Sequence, residues 1–268
     1  MEGTFARLAF MTVQNTRSRK SGPQRTIAGQ KHKARPVAVF DVDGTIFRSS
    51  LAIELLEELI REGVFPKKAA EGYKRELHLW RERKGSYEEY IRKVVVVLWS
   101  HLRGIRTPVV EKVAKRVLEA KRHYTYRYTR DLAKHLKKEG YFLLAISHSP
   151  RIILGPFARE FGFDEAYGSL AEIDSKGRLT GNAKNFHIIE NKGNILKRVV
   201  LKFDLTLKGS VGVGDTESDA SFLTLVENPI CFNPNMTLYT MASKKGWKVV
   251  VERKDVVYDS LRAKKSGS

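Results

Sequence analysis

The stretch RPVAVFDVDGT at residues 35–45 decides how this chain is read. Val37, Ala38, Val39 and Phe40 make a short apolar run with β-branched residues after Pro36, the pattern of a buried strand. The run stops at two aspartates, Asp41 and Asp43, and Gly44 turns the chain directly behind them. In open α/β sheets ligands bind outside the carboxyl ends of the strands, so two acids at this point would meet a substrate. One carboxylate can attack or bind metal while the other handles protons. An Asp-Gly turn closing a hairpin fits the same four residues, and the chain beyond Gly44 must choose between the two.

Downstream of the acids the pattern is helical for a long way. Residues 51–61 (LAIELLEELIR) form an amphipathic helix opened by Ser49 or Ser50 and closed by Gly63. Residues 69–83, 87–102 and 108–122 fit further helices, with the run VVVV at 94–97 compatible with either state. An α/β rhythm then resumes. It has a helix at 129–139, a strand at 141–146 ending in Ser147-His148-Ser149-Pro150, a helix to about Phe161, and a strand at 164–170. A hairpin over 171–181 comes next, then a helix at 192–203 and a strand at 210–213 ending in Gly214-Asp215. A strand at 229–232, a helix at 236–245 and a strand at 247–251 complete it, and RAKKSGS ends the chain as a loose tail. Strands separated by helices mean a mostly parallel sheet covered on both faces. Helices inserted after the first strand–helix step suggest a cap over the sheet's catalytic end.

The chain has 268 residues, 42% of them apolar, which is enough for a proper core. Its single cysteine, Cys231, excludes an internal disulfide framework and suits a reducing compartment. No apolar run is long enough to span a bilayer, so a cytoplasmic protein without a transmembrane segment is expected. The formal charge of +19 points toward anionic partners. Residues 1–35 carry eight lysines and arginines against Glu2 and no sustained apolar period. They read as a disordered basic tail, equally compatible with a transit segment or a basic arm. Elsewhere the basic runs KKAAEGYKRE and EKVAKRVLEAKR read as solvated helix faces.

The residues past the strand ends are complementary in chemistry. Asp41 and Asp43 come after the first strand. Ser147 offers a hydroxyl before a helix start whose free N–H groups favour an anion. Lys192, with Gly193 behind it, opens another helix, and Asp215 and Asp219 come after the strand at 210–213. Acids from two loops make a site for a hard cation such as Mg²⁺, and a hydroxyl, amides and one lysine neutralise a phosphoryl group. Competing motifs fail. Neither acidic loop has the EF-hand's glycine and closing glutamate, no GxxxxGK[ST] is present, and Glu217 stands where a dinucleotide fingerprint needs glycine.

With FDVDGT at 40–45, Ser147 in ISHSP, Lys192 in NKGN and VGDTESD at 213–219, the sequence resembles the haloacid dehalogenase superfamily, nearest its phosphoserine-phosphatase-like branch, subfamily IB. The resemblance implies an α/β fold, a Rossmann-like parallel sheet with an inserted helical cap. The core would be residues 36–63 and 124–260, and the cap 64–123. It implies a phosphatase in which Asp41 is the nucleophile forming an aspartyl-phosphate and Asp43 the acid and base. Asp41, Asp43 (through its carbonyl), Asp215 and Asp219 would serve the Mg²⁺ site. Ser147 and Lys192 would hold phosphoryl oxygens, with Gly44, Thr45 and His148 also facing substrate. Two departures matter. Ser50 stands where phosphoserine phosphatases carry a glutamate that grips the substrate ammonium, with Arg48 nearby, and GDTESD replaces their common GDGxND. Both disfavour phosphoserine, and the basic cap suits a small anionic metabolite, acidic or multiply phosphorylated, or a phospholipid head group. A nucleic-acid-binding protein, or a phosphatase acting on polynucleotide ends, ranks second, and the oligomeric state is open.

Overall fold

A computed structural model describes residues 34–184 and 191–262. The expectation for the tail at 1–35 therefore falls almost wholly outside the described residues, as does that for the chain end beyond 262. Strand β1 (Arg35–Asp41) lies inside a seven-stranded sheet, between β2 (Phe142–Pro150) and β6 (Leu205–Gly214). Outward from β2 comes β3 (Glu165–Ser169); outward from β6 come β7 (Asn228–Phe232), β8 (Lys248–Arg253) and β9 (Val256–Arg262). Every pairing is parallel except β8 with β9. A separate hairpin pairs β4 (Ala171–Ile173) with β5 (Leu179–Ala183).

The unbroken apolar run of β1 results from burial on both faces. Successive side chains point to opposite sides, so Val37 and Val39 enter one apolar cluster while Ala38 and Phe40 enter the other. The first of these is built with α7 (Lys192–Lys202), the short α8 (Ala220–Leu223) and α9 (Met236–Lys245). The second is built with α1 (Leu51–Arg61), α6 (Arg151–Glu160) and part of α5 (Arg127–Lys138). The helices α2 (Glu71–Arg81), α3 (Tyr87–Leu102) and α4 (Thr107–Lys121) share that second cluster through Tyr73, Val94, Leu98, Val110 and Val113. The VVVV run is therefore helical. Its strand propensity is overridden because Val94 and Val97 find apolar partners at helical spacing. Many basic residues of the two charged runs face solvent, some paired with acids, as Lys74 with Glu71 and Arg116 with Glu62. Among the described residues no helix is long and apolar enough to cross a membrane.

Three strands differ from the expectation. β2 continues through Ser147-His148-Ser149 to Pro150, which pairs with Ser169 after a register shift. β6 begins at Leu205, where its polar first half pairs with Arg35 and Pro36. β9, not expected at all, is an edge strand whose Val256 and Tyr258 are exposed, so no buried apolar run announces it.

A long-range contact replaces a local one at the start of α5. Tyr126 offers no side-chain cap there. Glu252 of β8 instead accepts the N–H groups of Arg127 (3.2 Å) and Tyr128 (2.8 Å) and pairs with Arg48. A carboxylate suits these free amides and the positive end of the helix dipole. Arg48 also donates to the Thr125 carbonyl (2.9 Å) and lies 4.5 Å over the Tyr126 ring. Arg48 is thus committed to holding β8 and α5 together, which corrects its placement near a substrate. Glu252→Ala should lower the unfolding free energy by about 3 kcal/mol, since amides and a guanidinium lose their acceptor. Glu252→Gln should cost less. Urea melts test this, and a change below about 0.5 kcal/mol for the alanine variant would remove the role given to Glu252.

Candidate active site

The loop after β1 is tightly wound. The amides of Thr45, Ile46 and Phe47 all donate to the Val42 carbonyl, and the Gly44 amide reaches the carbonyls of Phe47 and Ser49. Gly44 has φ +82°, a conformation that favours glycine, and a Cβ there would collide with the Asp215 carboxylate. The loop after β6 is therefore able to close directly against the loop after β1. Thr45, fully buried, donates its hydroxyl to Asp215 (3.1 Å).

Lys192 stands at the first turn of α7, whose N-cap Asn191 accepts the Asn194 amide. The helix start presses so closely on the Ser221 carbonyl that Gly193 could not carry a side chain without displacement. This seats the Lys192 ammonium, 1% exposed as a residue, between Asp41 (2.6 Å) and Asp219 (2.6 Å). Burial pulls its pKa down, but the carboxylates of Asp219 and Asp41 outweigh that and hold it above the ordinary lysine value. The second oxygen of Asp219 accepts the amides of Asp215 (3.0 Å) and Thr216 (3.1 Å) and so pins the loop after β6.

Asp43 is held separately. Its Oδ1 accepts the Leu51 amide at the start of α1 (2.6 Å). Its Oδ2 accepts the hydroxyls of Ser147 and of Ser149 (2.8 Å). Ser149 in turn accepts the Ala52 amide (3.0 Å), and Ser147 accepts the Ser149 amide (2.8 Å). The proton-handling candidate is thus oriented by three donors.

The remaining charges do not balance. Among the described residues one ammonium faces four carboxylates, and Asp41 Oδ2 is buried with no hydrogen-bond partner. Burial pushes the Asp41 carboxyl up to about 7 against the pull of Lys192, with Asp219 and Asp43 adding to the rise. Burial, then Asp41 and Asp219, likewise raises Asp215. Carboxylate oxygens of Asp41, Asp215 and Asp219 lie within 4.8 Å of one another. Three carboxylates brought this close, with more charge than one ammonium offsets, fit an oxygen-ligated divalent cation.

Above these residues opens a cleft of about 1540 Å³. Asp41, Asp43, His148, Lys192 and Asp215 line it, while Gly44, Thr45, Ser147 and Asp219 are not among its lining residues and serve those that are. Ser50 also lines the cleft, but its hydroxyl accepts the Ala52 amide as the N-cap of α1. The structure adds residues that the motifs did not name. Ser149 completes the grip on Asp43, and Tyr87, Trp80, Ile91 and Val95 form walls from the inserted helices. Ser149 could have been found from its place two residues after Ser147. Nothing local marks the others, which reach the site only through the packing of α2 and α3.

The sequence pattern that describes the haloacid dehalogenase-like hydrolases matches residues 38–224 of this chain. A phosphoserine phosphatase of Methanocaldococcus jannaschii is 25% identical over 225 residues, which is 84% of this chain and 95% of that protein. A histidinol-phosphatase of Neisseria meningitidis serogroup C is 25% identical over 222 residues, 80% of this chain and 97% of the other. Among solved structures, a phospho-aspartyl intermediate analogue of phosphoserine phosphatase superposes with a TM-score of 0.55 at 25% identity, covering 83% of this chain and 96% of that one.

His148 supplies a pH test of the site. Burial and then the Lys192 charge lower its pKa to about 4. The unfolded chain, with histidine near 6.5, binds the proton first, so stability is kept above about pH 6.5 and lost as pH falls toward 4. Between pH 7 and pH 5, His148→Gln should lose about 2 kcal/mol less stability than the parent. Parallel pH dependences in denaturant melts would show that His148 is not the group responsible.

Proposed function

The chain belongs to the haloacid dehalogenase-like hydrolases, and from that premise we propose that it hydrolyses an anionic phosphomonoester through a phosphorylated Asp41. The observation that carries the reading is the divided state of Asp41. Lys192 holds Oδ1, while Oδ2 has no partner at a residue lining the cleft. A fixed carboxylate with one uncommitted oxygen is what in-line attack on phosphorus needs.

In the first step Asp41 Oδ2 forms a bond to phosphorus as the bond to the ester oxygen breaks. Asp43 delivers a proton to that leaving oxygen, giving the free alcohol. In the second step Asp43 takes a proton from water, whose oxygen attacks phosphorus and releases phosphate with Asp41 restored. Ser147, Ser149 and the Leu51 amide keep the Asp43 carboxyl aimed during both transfers. Lys192 offsets repulsion between Asp41 and the incoming phosphoryl group. Asp41 and Asp215, with Asp219 beside them, would hold a divalent cation of the Mg²⁺ kind, which when bound supplies further positive charge against the phosphoryl oxygens. The inserted helices at 64–123 act as the cap that closes the site from water.

The two phosphatase relatives support the chemistry and differ in the alcohol released, a phosphoserine phosphatase in one case and a histidinol-phosphatase in the other. Neither leaving group is carried over here. Ser50 gives no charge for an amino acid's ammonium, and its hydroxyl is engaged by Ala52.

Phosphate release from p-nitrophenyl phosphate tests the reading. Asp41→Asn should lose about a thousandfold or more of kcat, Asp43→Asn a similar factor, and EDTA should abolish turnover that Mg²⁺ restores. Asp41→Asn at parental rate, with folding verified by circular dichroism, would sink the proposal.

A further inference from the structure

The cleft is much larger than a phosphate needs, and one of its walls is a face of α3. Tyr87, Ile91, Val95 and Trp99 recur at steps of four along that helix and all line the cleft, the first three partly buried and Trp99 9% exposed at the end of the row. Residues four apart are neighbours on the helix surface, and the twelve steps from Tyr87 to Trp99 rise about 18 Å, the length of an extended chain of roughly fourteen carbons. The stripe has direction. Its first residue lies in the field of Asp43, Asp215 and Asp41, which together with burial raise the Tyr87 hydroxyl's pKa. Its last residue abuts the β4–β5 hairpin, where the Trp99 carbonyl lies 3.1 Å from the place a Gly181 side chain would take. The stripe lines the same cleft as Asp41, Asp43 and Asp215 and ends against the β4–β5 hairpin.

None of these four side chains carries a charge, and Glu88 and Arg92 flank the stripe one position on from Tyr87 and Ile91. Two further apolar side chains are left in contact with solvent in the same cleft, Val96 at 57% and Met236 at 77% exposure. Apolar surface of this extent at the mouth of a polar site marks a ligand that covers it. A small, multiply charged metabolite would leave the stripe wet and gain nothing from it.

We propose that the substrate is a single-chain lipid phosphate, its phosphate at Asp41 and its apolar chain laid along Tyr87, Ile91, Val95 and Trp99. The proposal rests on the phosphomonoesterase reading and narrows it to one substrate class. The chemistry is unchanged, since the same ester bond is cleaved and the released alcohol carries the chain. Selectivity comes from the cap helix, because each methylene removed from water adds to binding independently of what happens at phosphorus.

A homologous series of n-alkyl phosphates, from ethyl to hexadecyl and kept below micellar concentrations, tests it with the Mg²⁺-loaded protein. kcat/KM should rise about two- to fourfold per methylene and level off near roughly fourteen carbons. Dodecyl phosphate, but not ethyl phosphate, should perturb the fluorescence of Trp80 and Trp99, which line the cleft. Val95→Glu should flatten the series, read as the ratio of dodecyl to ethyl turnover. Lys93→Glu, at an exposed position outside the cleft, should keep the ratio. Turnover of the whole series at one kcat/KM overturns the lipid proposal and leaves the phosphatase standing. No turnover of any ester by folded, Mg²⁺-loaded protein overturns both.

Discussion

The ammonium of Lys192 between Asp41 and Asp219 is the constraint around which this protein is arranged. It ties the end of β1 to the start of α7 and to the loop after β6, three segments distant in sequence. Taking these groups out of water is costly, and the attraction compensates only because the geometry is close and the second oxygen of Asp219 also finds two amides. The arrangement still leaves more carboxylate than ammonium. Asp41 keeps an unpartnered oxygen, and the acids are pushed toward their protonated forms. A site held under that imbalance is poised to take a cation and a reaction at phosphorus.

Close approach is what makes the imbalance possible. Gly44 gives way to the Asp215 carboxylate, and Gly193 to the Ser221 carbonyl. A Gly214 side chain would meet Asp219 at 2.5 Å. At each point the missing side chain lets a charged group or a backbone segment enter the space. Around this centre the polar bonds are spent on orientation. Asp43 is fixed by two serines and an amide, and Thr45 serves Asp215. Farther out, Glu252 and Arg48 lock β8 to α5, so this cation supports the scaffold.

The helices between α1 and α5 join the same apolar cluster as Phe40, and Trp80, Tyr87, Ile91, Val95 and Trp99 of that apolar surface also line the cleft. In the proposed reading the core fixes where phosphorus is attacked, and α3 selects what is attached to it. Relatives that share the chemistry while bearing the names of different substrates fit that separation.

Much of this was legible in the chain itself. The alternation of strands and helices, the acids after β1 and β6, Ser147 and Lys192 were all readable, because buried parallel strands are continuous apolar runs and polar residues at their ends have few structural reasons to be there. The helices at 51–61, 87–102 and 236–245 were readable to the residue, since amphipathic spacing and caps are local. What only the tertiary structure decided depends on partners remote in sequence. β9 is an edge strand with exposed Val256 and Tyr258 that exists by pairing with β8. Arg48 has the chemistry of a substrate ligand but faces Glu252, two hundred residues away. The unpaired Asp41 oxygen, Ser149's hold on Asp43 and the apolar stripe facing the cleft are properties of distances between elements. Periodicity says which residues share a face of α3, and only packing says that one such face lines the cleft that holds the acids.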